Sequence, residues 1–225
     1  MRKARAHSLQ PHVSSERQLG QLARTGKEGA RADAAVAAGA QPQGCYWYLD
    51  TRLDEMDSIS QRGWTGRLRR AARALDERLK ADPNQSCVHG DCKSANMLWD
   101  GEQLAMCDFQ YFGKACPMKD MAYLLCCAAA DGAAHEAAHL QAYLRVLNPI
   151  LAARGEAPPS LDSLVSALDV AYADLCRWMC GWGMWGDSFL VPRVQATLER
   201  LDGGVDLGSE EAYREAVATV FPVLL

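Results

Sequence analysis

No stretch of this chain is apolar for long enough to cross a bilayer. The longest such run, Met121 to Ala130, is closed off by Asp120 and Asp131, well short of the roughly 20 residues a membrane helix needs. An integral helical membrane protein is therefore excluded. Nine cysteines are present, but none form a Cys-x-x-Cys pair, and one is left over after any full pairing. Neither a zinc-ribbon nor a complete disulfide framework fits that spacing. Positive charge is also in short supply: 24 Lys and Arg stand against 28 Asp and Glu, a net charge of -4. Proteins that grip the phosphate backbone of nucleic acid are usually basic, so no nucleic-acid partner is expected. No repeat of fixed period occurs, which removes solenoids and propellers.

What is present suits a globular protein. The 225 residues are 49% hydrophobic and 23% charged, enough for one good-sized domain or two small ones with a real core. Cys107, Cys126, Cys127, Cys176 and Cys180 lie in apolar stretches, where a free thiol behaves as a small hydrophobe. Free thiols persist in a reducing compartment, so the expected location is cytoplasmic.

Charge and composition divide the chain near residue 44. Residues 1–44 hold seven basic and three acidic residues, a balance of +4, with no Phe, Trp or Tyr; the remainder carries 17 and 25, a balance of -8. A stretch without an apolar face cannot bury enough surface to offset its ordering entropy. Residues 1–44 are thus expected to form a disordered basic tail or a non-native start. Organelle targeting by this tail is the alternative, which Arg and Ser with few acids favour and the missing amphipathic stripe disfavours.

Past Cys45-Tyr-Trp-Tyr-Leu-Asp50 the pattern becomes ordered. Asp57 or Ser58 is placed to cap a helix running towards Ala81, with Leu68, Ala71, Ala72, Leu75 and Leu79 on one face and Asp82-Pro83-Asn84 as its stop. Cys87-Val88 reads as a short extended piece leading into a polar loop, His89 to Ala95. Asn96 to Trp99 and Leu104 to Cys107 flank Asp100-Gly101, a strong hairpin signal. With a loop of Asp100 to Gln103, Trp99 faces Leu104 and Asn96 faces Cys107. Helical patterns then cover 118–130, 133–153, 160–182, 192–202 and 209–220. The fold class expected is α+β, mainly α.

The open end of the hairpin gathers chemistry. Asp108 follows Cys107 and lies beside Asn96, while the loop before Asn96 carries Asp91 and Lys93. One carboxylate with an amide oxygen is a suitable partial shell for Mg²⁺, which keeps waters and substrate phosphates as its other ligands. A second carboxylate off the metal can take a proton from an attacking hydroxyl, and an ammonium beside it can neutralise a transferring phosphoryl group.

These residues carry a resemblance. His89-Gly-Asp91-Cys-Lys93-Ser-Ala-Asn96, Cys107-Asp108-Phe109-Gln110 and Lys119-Asp120-Met-Ala-Tyr123 resemble the aminoglycoside phosphotransferase and choline kinase superfamily, a small-molecule branch of the protein-kinase-like fold. The resemblance spans about residues 45–205 and is strongest over 87–125. It implies ATP-dependent transfer of a phosphoryl group to a hydroxyl of a small molecule. Asp91 would be the catalytic base, Lys93 would approach the transferred phosphate, and Asn96 and Asp108 would hold Mg²⁺ on the nucleotide. His89 would brace the loop and Asp120 would anchor it. Gln110 stands where many kinases have glycine. Before the loop the only lysines are Lys3, Lys27 and Lys80, none preceded by a glycine-rich turn between strands. Residues 45–225 are accordingly expected to form a kinase-like C-lobe with no N-lobe, and a non-catalytic remnant or binding module is the runner-up.

Two further patterns compete. His135-Glu136-Ala-Ala-His139 matches the zinc-peptidase helix motif, but no third ligand follows at suitable spacing, so a zinc hydrolase is a distant alternative. Trp178, Trp182 and Trp185 recur near helical spacing; a core stripe is preferred over an aromatic cage for a quaternary ammonium group. The acceptor and the oligomeric state are not readable from the sequence.

Overall fold

The computed structural model describes residues 29–129 and 131–223. Within them the fold is α+β and mostly helical, with two small antiparallel strand pairs. Helix α1 (Gly29–Ala37) comes first, then a 3-10 turn (Leu49–Thr51) and α2 (Leu53–Asp57). The long α3 (Gly63–Lys80) follows and leads into strand β1 (Ser86–Val88). Strands β2 (Met97–Trp99) and β3 (Leu104–Met106) form the hairpin, and β4 (Gly113–Ala115) returns to pair with β1. The rest is helical: α4 (Met118–Cys127), α5 (Glu136–Ala152), α6 (Leu161–Trp182), α7 (Leu190–Asp202) and α8 (Glu210–Val220).

Helix α6 is the axis of the body. Nearly every side chain from Ala167 to Met179 is buried, and α2, α3, α4 and α7 pack around it. A helix apolar on all sides belongs in an interior. Gly181 lets the α2 backbone approach, since a Cβ there would lie 2.0 Å from the Glu55 carbonyl oxygen. The expected helix ends hold where a side chain caps them: Ser160 Oγ accepts from Ser163 N at 3.0 Å and Ser209 Oγ from Ala212 N at 3.2 Å.

The first long helix departs from expectation at its start. Asp57 ends α2 instead of opening α3, and its carbonyl and carboxylate both accept from Arg69. Gly63, at φ 64°, restarts the chain in a conformation that glycine adopts freely. The apolar face of α3 is the expected one, with Leu68, Ala71, Ala72, Leu75 and Leu79 buried.

Part of the expected tail is ordered. Residues 29–44 fold against the small sheet: Ala32 is buried, Asp33 pairs with Lys114 of β4 at 2.6 Å, and Gln41 bridges to Gly113 in parallel. Small alanines allow this close approach, so the ordering comes from contact with distant chain and not from an apolar stripe. The expectation of disorder is corrected for these residues; residues 1–28 lie outside the described residues.

All nine cysteines are free thiols. The least expected interior feature is a buried ion cluster. Lys119 Nζ meets Asp174 Oδ2 at 2.7 Å, and Arg177 binds Asp174 Oδ1 at 2.7 Å while donating to the Trp47 carbonyl at 2.8 Å. All three side chains are at most 1% exposed. Burial pulls the Lys119 ammonium down, but Asp174, with Cys45 and Asp76 adding to it, holds the lysine above its usual range. Burial likewise pushes Asp174 up, and the two cations overcome that and keep it below the usual carboxylate range. Removing Asp174, the anion that both cations share, strands two buried charges. Asp174→Asn is therefore expected to cost about 3 kcal/mol, read as a lower urea midpoint with an unchanged slope.

Candidate active site

Strand β1 delivers the chain to His89-Gly90-Asp91. Gly90 sits at φ 84°, and a Cβ there would come within 2.3 Å of the Tyr111 carbonyl oxygen, so a side chain is excluded at this bend. The bend is held from below by Asp120, in the first turn of α4. Its Oδ2 accepts from His89 N at 2.7 Å and its Oδ1 from Gly90 N at 2.9 Å. Burial raises the Asp120 carboxyl above its usual range, with those two N–H groups opposing the shift. His89 braces the other side. Asp91 N donates to His89 Nδ1 at 3.3 Å, which assigns the ring proton to Nε2, and Nε2 then donates to the Cys107 carbonyl at 2.9 Å.

The Asp91 carboxylate is buried, with Oδ2 accepting from Lys93 Nζ at 2.8 Å and from Asn96 Nδ2 at 3.0 Å. Asn96 Nδ2 also donates to the Asp91 carbonyl at 2.9 Å. Asn96 is turned back by the short 3-10 turn Ser94–Asn96. Oδ1 of Asp91 is buried and accepts no hydrogen bond. The hydrogen bond that Lys93 donates to Asp91 holds its ammonium above the ordinary value, with Asp108 adding to it, so Lys93 stays charged through the neutral range.

The hairpin has the expected register: Trp99 pairs with Leu104, and Cys107 N donates to the Asn96 carbonyl at 3.0 Å. Asp108, the next residue, adopts φ 62° and is exposed, with Oδ2 accepting from Gln110 Nε2 at 3.2 Å. Asp91 and Lys93 line a cavity of about 300 Å³ whose other walls are largely aromatic: Tyr46, Tyr111, Tyr123, Trp178, Trp182 and Trp185, with Gln110.

A model of the phosphotransferase enzyme family matches residues 2–158, more than half of the chain and all of the loop and hairpin just described. The chain belongs to that family. No curated protein matches it.

In this family member the structure brings Asp91, Lys93 and Asn96 into one hydrogen-bonded group. Asp108 emerges at the same end of the hairpin, but its side-chain bond goes to Gln110. Gln110, which stands where many kinases have glycine, borders the cavity. The tryptophan stripe expected in the core is only partly there. Trp178 is core, stacked on Trp47 with centroids 5.8 Å apart. Trp185 is half-buried and packed against the core, whereas Trp182 is 56% exposed, and all three border the cavity. The signal that could have shown this was Gly183, which ends the helix between the last two tryptophans.

The zinc-hydrolase alternative is corrected. His135 precedes α5 and is exposed, His139 is buried, and Glu136 is ion-paired with Arg193 at 3.1 Å. Among the described residues no group of three or more His, Cys, Asp or Glu side chains is arranged to hold a metal. The same residues contain no helix long and apolar enough to cross a membrane.

Asp120→Asn tests the loop anchor. An amide can accept one of the two N–H groups but turns a second donor on the other, a loss of about 1–3 kcal/mol. The expected outcome is faster amide exchange at His89 and Gly90 than in α6; unchanged protection at those two positions would contradict the anchoring role.

Proposed function

We propose that this phosphotransferase moves the γ-phosphoryl group of ATP to a hydroxyl of a small molecule. The observation that carries the reading is Asp91: a buried carboxylate on a cavity, one oxygen held by Lys93 and Asn96, the other without a partner. A group fixed in that way can accept a proton without reorganising. In the reaction the acceptor oxygen forms a bond to the γ-phosphorus as the bond to the bridging oxygen of ADP breaks. The hydroxyl proton passes to the Asp91 carboxylate and from there to solvent. Lys93, kept charged by Asp91, faces the negative charge that spreads over the transferring group.

Asn96 and Asp108 are the residues suited to Mg²⁺. The amide nitrogen of Asn96 is committed to Asp91, which leaves its carbonyl oxygen for a cation, and Asp108 is an exposed carboxylate at the same end of the hairpin. Two hard oxygen donors match an ion that keeps waters and phosphate oxygens in its shell. When bound, the ion would neutralise charge on the nucleotide phosphates.

The roles separate experimentally. Asp91→Ala is expected to lower ADP release about 100-fold or more while leaving Mg²⁺-nucleotide affinity within a few-fold of the parent, measured by calorimetry with a non-hydrolysable ATP analogue. Asp108→Ala is expected to weaken the Mg²⁺-dependent binding itself. Equal loss of nucleotide binding in both variants would contradict the assignment. A folded parent chain that binds no nucleotide would favour a non-catalytic binding module instead.

A further inference from the structure

The cavity beside Asp91 also restricts what the acceptor is, an inference that rests on the phosphotransferase reading. Its lining residues carry two charges, Asp91 and Lys93, and these are paired with each other at 2.8 Å. Beyond Asp91, already paired with Lys93, no lining residue carries a carboxylate to balance an ammonium on a ligand. The aromatic face a cation would choose is already taken at one wall: the Arg52 guanidinium lies 4.1 Å from the centroid of the Tyr46 ring, tied there by the Tyr46 carbonyl at 2.9 Å and by Glu55 at 3.3 Å. A cationic ligand would meet the Lys93 ammonium on the lining and the Arg52 guanidinium beside Tyr46, against the single acid Asp91.

An uncharged ring meets better terms. Trp182 presents an indole to solvent on the cavity wall, and Trp185 stands perpendicular to Trp178 with centroids 4.8 Å apart. Such faces bury the flat side of a ring, and an exposed indole bordering a concave site is the surface a ligand covers. Two buried polar atoms of lining residues lack partners, the acceptor Asp91 Oδ1 and the donor Trp178 Nε1. A hydroxyl both donates and accepts.

We propose that the acceptor is an uncharged ring alcohol, its apolar face against the Trp182 and Trp185 indoles and its hydroxyl turned to Asp91. The test uses the full chain with menthol and methyl glucoside as uncharged ring alcohols and choline as a cationic alcohol. Binding is followed by saturation-transfer NMR and calorimetry, with and without Mg²⁺ and a non-hydrolysable ATP analogue. At least one ring alcohol is expected to bind saturably and choline not at the same concentration. Trp182→Ala is expected to weaken the ring alcohol about tenfold, the size of a lost stacking contact, with nucleotide affinity and the far-ultraviolet circular dichroism unchanged. Choline binding as tightly as either ring alcohol would overturn the proposal. So would binding of neither ring alcohol by a chain that still binds nucleotide, and the phosphotransferase reading would then survive alone. Ring-alcohol binding by a folded chain that takes up no nucleotide would overturn both.

Discussion

The active-site loop is a short polar segment with little apolar surface of its own, and it depends on one buried carboxylate for its shape. Asp120 accepts the backbone N–H groups of His89 and Gly90, from the first turn of a helix whose next turns are in the core. A buried acid is costly unless its oxygens are satisfied. Here the satisfying groups are the bend of the loop itself, so the cost of burial is relieved only when the loop is correctly folded. Everything downstream inherits that coupling: the His89 ring is set against both Asp91 and the hairpin, and Asp91 is set towards Lys93, Asn96 and the cavity.

The residue before it, Lys119, extends the same logic in the opposite direction. Its pairing with Asp174, and that of Asp174 with Arg177, ties α4 to α6. Arg177 then reaches the Trp47 carbonyl and so fixes the segment that brings Tyr46 to the cavity wall. Two successive residues at the start of one helix therefore join the candidate active-site loop, the central helix and the aromatic wall. Buried ion clusters are poor sources of net stability but demanding of geometry. That suits a place where three separate pieces of chain must keep register around a reacting group.

Much of the site was legible because it is local. Asp91, Lys93, Asn96 and Asp108 fall within eighteen residues joined by one hairpin, and the Asp100-Gly101 turn with its flanking apolar residues sets the register that puts Asn96 opposite Cys107. Helices α6 and α8 were readable from a capping serine followed by apolar periodicity. What escaped was non-local. Strand β4, Gly113–Ala115, has no strand-forming composition and exists because β1 and Gln41 pair with it. Helix α1 has almost no apolar stripe and is ordered by its contact with that sheet.

The sequence by itself determined which groups stand at the candidate site of this family member, two carboxylates, an amide and an ammonium, and that a hairpin brings them together. Only the tertiary structure decided what that chemistry faces. Trp178, Trp182 and Trp185 share a sequence pattern but not an environment, because the helix ends at Trp182 and the chain turns at Gly183 and Gly186. Periodicity reports which residues share a face of a helix. Whether that face meets a core or an open cavity depends on what the rest of the chain packs against it, here Trp47 under Trp178 and solvent over Trp182.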